Sequence, residues 1–325
     1  MSQAVNKIDH TFSVAPMLDW TDRHCRYFYR TMSRHAVLYT EMVTTGAIIY
    51  GKGDYLQFNQ AEHPIVLQLG GSDPADMAKA AVAAQEYGYD EININVGCPS
   101  DRVQNGRFGA CLMAEPDTVS ECLTAMQQAC DLPVTVKSRI GIDDFDSYEF
   151  LTQFVEKVQA AGCEHFIVHA RKAWLKGLSP KQNREVPPLD YQRVYQLKKD
   201  FPELTFSING GIETIEQAKA HLQHVDGVML GRAVYQNPYL MQQVDEQLYG
   251  IPASHLSRID VAEAMFEYME NETQNGATSW HIARHMLGLF NGQPKARLWR
   301  RFLSENARQH PQGSDLLKLA LAQMK

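Results

Sequence analysis

Eight short apolar runs recur along the first part of the chain: Phe12–Ala15, Val37–Glu41, Ile65–Leu69, Ile92–Val96, Val134–Ser138, Phe166–His169, Thr205–Ile208 and Gly227–Leu230. Most are nearly continuous in β-branched or aliphatic residues, the pattern of strands covered on both sides. In the fourth, Ile92, Ile94 and Val96 alternate with Glu91, Asn93 and Asn95, and Gly97 and Pro99 end the run. Helical patterns fill the gaps. Ser72-Asp73-Pro74 opens one that places Met77, Ala81 and Ala84 on a single face and stops near Gly88. Glu115-Pro116-Asp117 opens another, and Tyr148 to Ala161 forms a third, closed by Gly162. Strand and helix alternating over about 240 residues predict a (β/α)8 TIM barrel. An open doubly wound sheet is the alternative, because periodicity does not report closure.

After Gly250-Ile251-Pro252 the strand signals stop. Val261, Ala264, Met265, Tyr268 and Met269 mark one helical face; Ile282, Met286, Leu289 and Phe290 mark another. Leu298, Phe302 and Leu303 mark a third, and Leu316, Leu317, Leu319 and Ala320 a fourth. The expected organisation is a barrel over residues 1–245 and a small all-α helical bundle over 246–325.

Composition narrows the class. The chain has 325 residues, 44% hydrophobic and 21% charged, as a globular protein does. No apolar run reaches the roughly 18 residues of a membrane span, and Met1 to His10 lack the apolar stretch of a signal peptide. Six cysteines without a Cys-x-x-Cys pair argue against zinc and disulfide frameworks and fit a reducing, cytoplasmic compartment. His281-Ile-Ala-Arg-His285 has metal-like spacing but lacks the glutamate of a zinc-protease helix, so no metal is expected. The net charge is −7, yet residues 276–325 alone carry eight Lys/Arg against two Asp/Glu. A basic tail on an acidic body suggests an anionic partner; a solvated helix face is the plainer reading.

In a barrel the chemistry sits at the C-terminal strand ends. There the chain presents Ala15-Pro16-Met17, Gln68, Asn95, Cys98, Lys137, His169, Asn209-Gly210-Gly211 and Gly231-Arg232. A free cysteine is commonly inert and buried, but polar groups converging on the same rim point to a reactive thiol. The two glycine tips, each shortly before a helix start, suit a phosphate held by backbone N–H groups and helix dipoles. Two loops leave the rim. Residues 100–111 read as a mobile lid. Residues 171–188 carry Lys181, Arg184 and other cations around Trp174, a pattern that can hold phosphates and stack a base. Arg297, Arg300 and Arg301 share one helix face.

Taken together, Ala15-Pro16-Met17, Asn95-Val96-Gly97-Cys98-Pro99, Lys137-Ser138-Arg139-Ile140-Gly141, His169-Ala170-Arg171, Asn209-Gly210-Gly211 and Gly231-Arg232 resemble the tRNA-dihydrouridine synthases, most closely the bacterial A subfamily. The resemblance implies reduction of uridine near position 20 of the tRNA D-loop, with FMN in the barrel, NADPH as electron donor and tRNA on the helical domain. It assigns FMN contacts to Ala15, Pro16, Met17, Gln68, Lys137, His169, Asn209, Gly210, Gly211, Gly231 and Arg232. It assigns proton donation to Cys98 and tRNA contacts to Asn95, Lys181, Arg184, Arg297 and Arg300. A monomer without protein partners is expected. Two alternatives are an FMN barrel acting on a small free pyrimidine, which leaves the basic tail unexplained, and a non-catalytic RNA-binding protein, which leaves the glycine tips and Cys98 unexplained.

Overall fold

All eight apolar runs are strands, and they close on themselves. The computed structural model describes residues 8–324, apart from 101, 102, 105, 253 and 254. Strands β1 (Phe12–Val14), β2 (Val37–Thr44), β3 (Ile65–Gly70), β4 (Glu91–Val96), β5 (Val134–Arg139), β6 (His165–His169), β7 (Thr205–Asn209) and β8 (Gly227–Leu230) pair in parallel and in order. Strand β8 then pairs with β1, Ser13 opposite Met229, so the sheet is a barrel and not an open doubly wound layer. The helix starts follow their local chemistry. The Asp73 carboxylate accepts the Asp76 N–H at 2.9 Å above helix Pro74–Tyr87, and Gly88 ends it in a left-handed conformation.

Strand β4 shows what closure does to an alternating pattern. Ile92, Ile94 and Val96 pack outward into the main core beneath the helices. Glu91, Asn93 and Asn95 turn into the barrel, where they are as buried as the apolar set. Their polar atoms are satisfied across strands: Gln68 Nε2 donates to Asn93 Oδ1 (2.8 Å), Asn93 Nδ2 to Thr135 Oγ1 (3.0 Å), and Thr135 Oγ1 to Glu91 Oε1 (2.8 Å). A separate apolar layer of Ala15, Val37, Tyr39, Val66, Ile167 and Met229 also packs in the interior.

The C-terminal part is helical, with helices Arg258–Glu263, Phe266–Gln274, Ser279–Ala283, Ala296–Asn306 and Asp315–Ala322. The face expected as one helix over Val261–Met269 belongs to two, interrupted at Ala264–Met265; Val261, Met265, Tyr268 and Met269 are buried as expected, but Ala264 is exposed and Ala262 takes its place in the core. The face through Phe290 stays α-helical only to Ala283 and then tightens into a 3-10 turn. Gly288 explains the close packing there: a Cβ on it would lie 2.5 Å from the Gln236 carbonyl oxygen. The boundary expected between 245 and 246 falls inside helix Val244–Tyr249, whose Asp245 accepts from Ser33 Oγ at 2.5 Å and from the Arg34 N–H at 2.8 Å. One continuous hydrophobic cluster runs from the barrel into these helices.

A compact polar joint orients the helices over the rim. Asp22 caps helix Arg23–Arg30 through Oδ1, which accepts the N–H groups of His24 and Cys25. Its Oδ2 accepts from Arg284 (2.6 Å) and is 3.0 Å from His285 Nε2. Trp20 stacks on Tyr235 and Tyr27 on Tyr268, with ring centroids 4.2 and 3.8 Å apart. His285 is thus engaged by Asp22 and Tyr235, while His281 Nδ1 accepts the Thr278 N–H. Among the described residues no helix is long and apolar enough to cross a membrane.

Candidate active site

The C-terminal ends of the strands open into a cavity of about 1110 Å³. That exceeds the usual range for one small ligand, and leaves room for a flat cofactor and a second ring beside it. Ala15, Pro16, Met17, Gln68, Asn95, Cys98, Lys137, His169, Arg184, Asn209, Gly210, Gly211, Gly231 and Arg232 all line it. Lys181, Arg297 and Arg300 do not; they lie exposed outside the cavity.

The cysteine sits on a built turn. Asn95 Nδ2 donates to Gln68 Oε1 at 2.8 Å, which fixes the amide. Its Oδ1 then accepts the N–H groups of Gly97 (3.1 Å) and Cys98 (3.0 Å). The Cys98 carbonyl accepts from Ala110, and the thiol is half-buried, 3.7 Å from Ser100 Oγ. Of the segment read as a lid, Asp101, Arg102 and Asn105 lie outside the described residues. Of the remainder, Val103 is buried and Phe108 lies against the position where Gly70 would carry a Cβ, while Gly106 and Arg107 are exposed.

Lys137 and Arg139 follow each other at i and i+2 on β5, so both enter the barrel. Lys137 has no carboxylate partner among the described residues. Burial, then the charge of Arg139, pushes its pKa down to about 7. Burial followed by the charges of Arg139, Lys137, Arg171 and Arg184 holds His169 well below the ordinary range, so its imidazole is neutral at pH 7. The charges bearing on Lys137 and His169 are mainly cationic, and an anionic ligand beside them would relieve that repulsion.

At β7, Gly210 and Gly211 both have positive φ, +114° and +69°. A Cβ on Gly210 would lie 2.6 Å from the His169 ring, so only glycine lets the imidazole rest against this backbone. The helix that follows is self-capped: Thr214 Oγ1 accepts the Gln217 N–H and the Gln217 side chain returns to the Thr214 N–H. The cavity therefore meets a left-handed glycine turn at β7 and not the expected helix N-terminus, a backbone shape that presents N–H groups to an anion. At β8, a Cβ on Gly231 would approach only Ala15 and Met17, at 3.5 Å. Arg232 is not free: it pairs with Glu185 of the 171–188 loop at 2.6 Å.

Two residues gained no role from the sequence. Among the described residues Arg139, almost fully buried, bonds only to backbone carbonyls, and Gln104 bridges two loops. The i, i+2 relation to Lys137 was the available signal for Arg139; nothing local marks Gln104.

The dihydrouridine synthase family model matches residues 13–324, nearly the whole chain. The chain belongs to the dihydrouridine synthase family. Its relatives include a tRNA-dihydrouridine(20/20a) synthase of Shewanella oneidensis, 65% identical over 96% of this chain and 93% of the relative. Proteins of the same description from Vibrio parahaemolyticus and Escherichia coli K12 are each 63% identical, over 96% and 94% of this chain and 96% and 88% of their own lengths. The bacterial A-type subfamily reading and the assignment as a tRNA-modifying, flavin-dependent oxidoreductase stand on these matches.

Proposed function

We propose that this chain reduces uridine to dihydrouridine at positions 20 and 20a of the tRNA D-loop, the positions named for its relatives. It acts in the cytoplasm as a monomer, with FMN resident in the barrel and NADPH as electron donor. The observation that carries the reading is the meeting of Cys98, Lys137, His169 and the two glycine tips in one cavity. The residues fit FMN. Ala15–Met17 and Gln68 line the cavity beside Lys137, which has no carboxylate partner among the described residues, and Gly210–Gly211 with Gly231 offer a backbone cradle for a phosphate. Arg232, held by Glu185, could add charge there.

Bound FMN supplies the hydride for uracil carbon 6. The protein does the rest. The uridine must leave the folded RNA to reach the cavity. In this reading Asn95 meets the base edge, besides shaping the cysteine turn from the cavity wall. Lys137 opposes negative charge at the ring edge. Cys98, as a thiol, gives its proton to carbon 5 on quenching the enolate-like charge. His169, neutral, donates one N–H.

The basic helix supports the RNA half of the reading. Helix Ala296–Asn306 begins with Lys295 and Arg297 and has no acidic residue in its first turn. Cations at a helix N-terminus oppose the dipole by roughly 0.3–1 kcal/mol each, so their placement favours an external anion. Arg297 and Arg300, together with Lys181 and Arg184 of the 171–188 loop, are the tRNA contacts in this reading. Mapping dihydrouridine in tRNA from cells lacking this protein tests it. Loss at 20 and 20a is expected, and retention at both positions would overturn the reading.

A further inference from the structure

The turn that carries Cys98 is tied to the basic 171–188 loop twice. On one side, Arg139 Nε donates to the Gly97 carbonyl at 2.8 Å, and Arg139 Nη1 donates to the carbonyls of Lys172 (3.1 Å) and Asn183 (3.0 Å). On the other side, Gln104 Nε2 donates to the Pro99 carbonyl and to the Leu175 carbonyl, both at 2.8 Å. The carbonyls flanking the cysteine are therefore each held by one side chain that also holds the loop. Arg139 is 3% exposed and has no carboxylate within its hydrogen-bonding shell among the described residues. Burying a guanidinium for backbone carbonyls alone is costly, and lysine cannot reproduce the geometry, because only the planar fork reaches several acceptors at once. The loop's end of the tie is firm. Asn183, fully buried, accepts the Trp174 N–H and donates to the Trp174 carbonyl.

We propose that Gln104 and Arg139 are positioning residues that seat the Cys98 thiol through the 171–188 loop, so that RNA held by that loop sets the proton donor in register with the uracil ring. The inference rests on the tRNA reading of Lys181 and Arg184. A misplaced donor slows the chemical step without weakening binding, and an error of about 1 Å can cost up to a hundredfold.

The test uses flavin-loaded protein with Gln104→Ala and Gln104→Glu; the glutamate keeps the size but donates to neither carbonyl. Flavin is reduced with dithionite and mixed anaerobically with tRNA, and its reoxidation is followed by absorbance, while tRNA affinity is measured separately. Both variants should reoxidise about tenfold slower or more, with tRNA affinity within about twofold of wild type. Arg139→Lys should behave likewise and not restore the rate. Unchanged reoxidation in the Gln104 variants overturns the proposal. So does a slowing that saturating tRNA abolishes, which would make the ties mere RNA-binding scaffold. Lys181→Glu with Arg184→Glu separates the two readings: unaltered tRNA affinity there removes the loop from RNA binding, whatever the Gln104 variants do.

Discussion

Asp22→Ala removes the joint between the rim and the C-terminal helices, and its consequence can be worked out from the contacts. One carboxylate oxygen caps helix Arg23–Arg30 by accepting two N–H groups, and the other meets Arg284 and His285. Loss of such a cap costs about 1 kcal/mol. Hydrogen bonds to a charged group are worth about 1.5–3 kcal/mol when buried. Arg284 is about a third exposed and can rehydrate, so the lower end applies to it; His285 is fully buried and cannot. The sum is about 4–5 kcal/mol, or roughly 7 °C in Tm for a chain of this size. Asp22→Asn keeps a good cap but gives up the charge, and should lose about half as much. Thermal unfolding of the flavin-loaded protein by circular dichroism reads both. Burial alone would raise the Asp22 pKa, but His285, the Cys25 N–H and Arg284 outweigh it and hold the carboxyl far below its usual range. A depressed carboxyl pKa stabilises the fold above the unfolded value of about 4, and that contribution is lost as pH falls below it. The gap between wild type and Asp22→Ala should therefore narrow in acid. A change under about 0.5 kcal/mol at neutral pH, or equal losses for the alanine and asparagine variants, would refute the reasoning.

Cys98→Ala and Cys98→Ser should retain the flavin spectrum and slow uridine reduction about 10²- to 10⁴-fold, the usual weight of a positioned acid; anaerobic reoxidation by tRNA measures it, and a wild-type rate removes Cys98 from the chemistry. Lys137, with its pKa near 7, should take up a proton when FMN binds, so FMN affinity should fall as pH rises above about 7. Titration calorimetry in buffers of different ionisation enthalpy would show the uptake, and Lys137→Met should abolish it. In the flavin-free protein, the same depressed lysine pKa makes stability rise with pH from about 7 toward about 10, and Lys137→Met should flatten that rise in denaturant titrations. Arg297→Ala with Arg300→Ala should weaken tRNA binding and reduce the slope of log affinity against log salt by about 2; an unchanged slope would place the RNA elsewhere.

The strand runs, the capped helices and the rim tips were readable locally because each depends on neighbours within a few residues. Asp73 caps its own helix, and Gly97 and Pro99 end their own strand. The ordered motifs were enough to place the chain in its family. What the linear pattern left open was where each face goes. The alternation of β4 marks a strand, but only closure of β8 onto β1 puts Glu91 and Asn93 in the barrel interior and Asn95 at the wall of the cavity above it. The glycine tip at β7 was legible, whereas its left-handed turn and the self-capping of the next helix depend on packing against His169 and on Gln217. The Arg232–Glu185 pair and the double tie from Arg139 and Gln104 join segments tens of residues apart. Long-range contacts of that kind exist only once the chain has closed. Residue types along this chain determined which chemistry was available; the barrel's closure decided which groups share a cavity, and so how far burial moves the charges of Lys137 and His169.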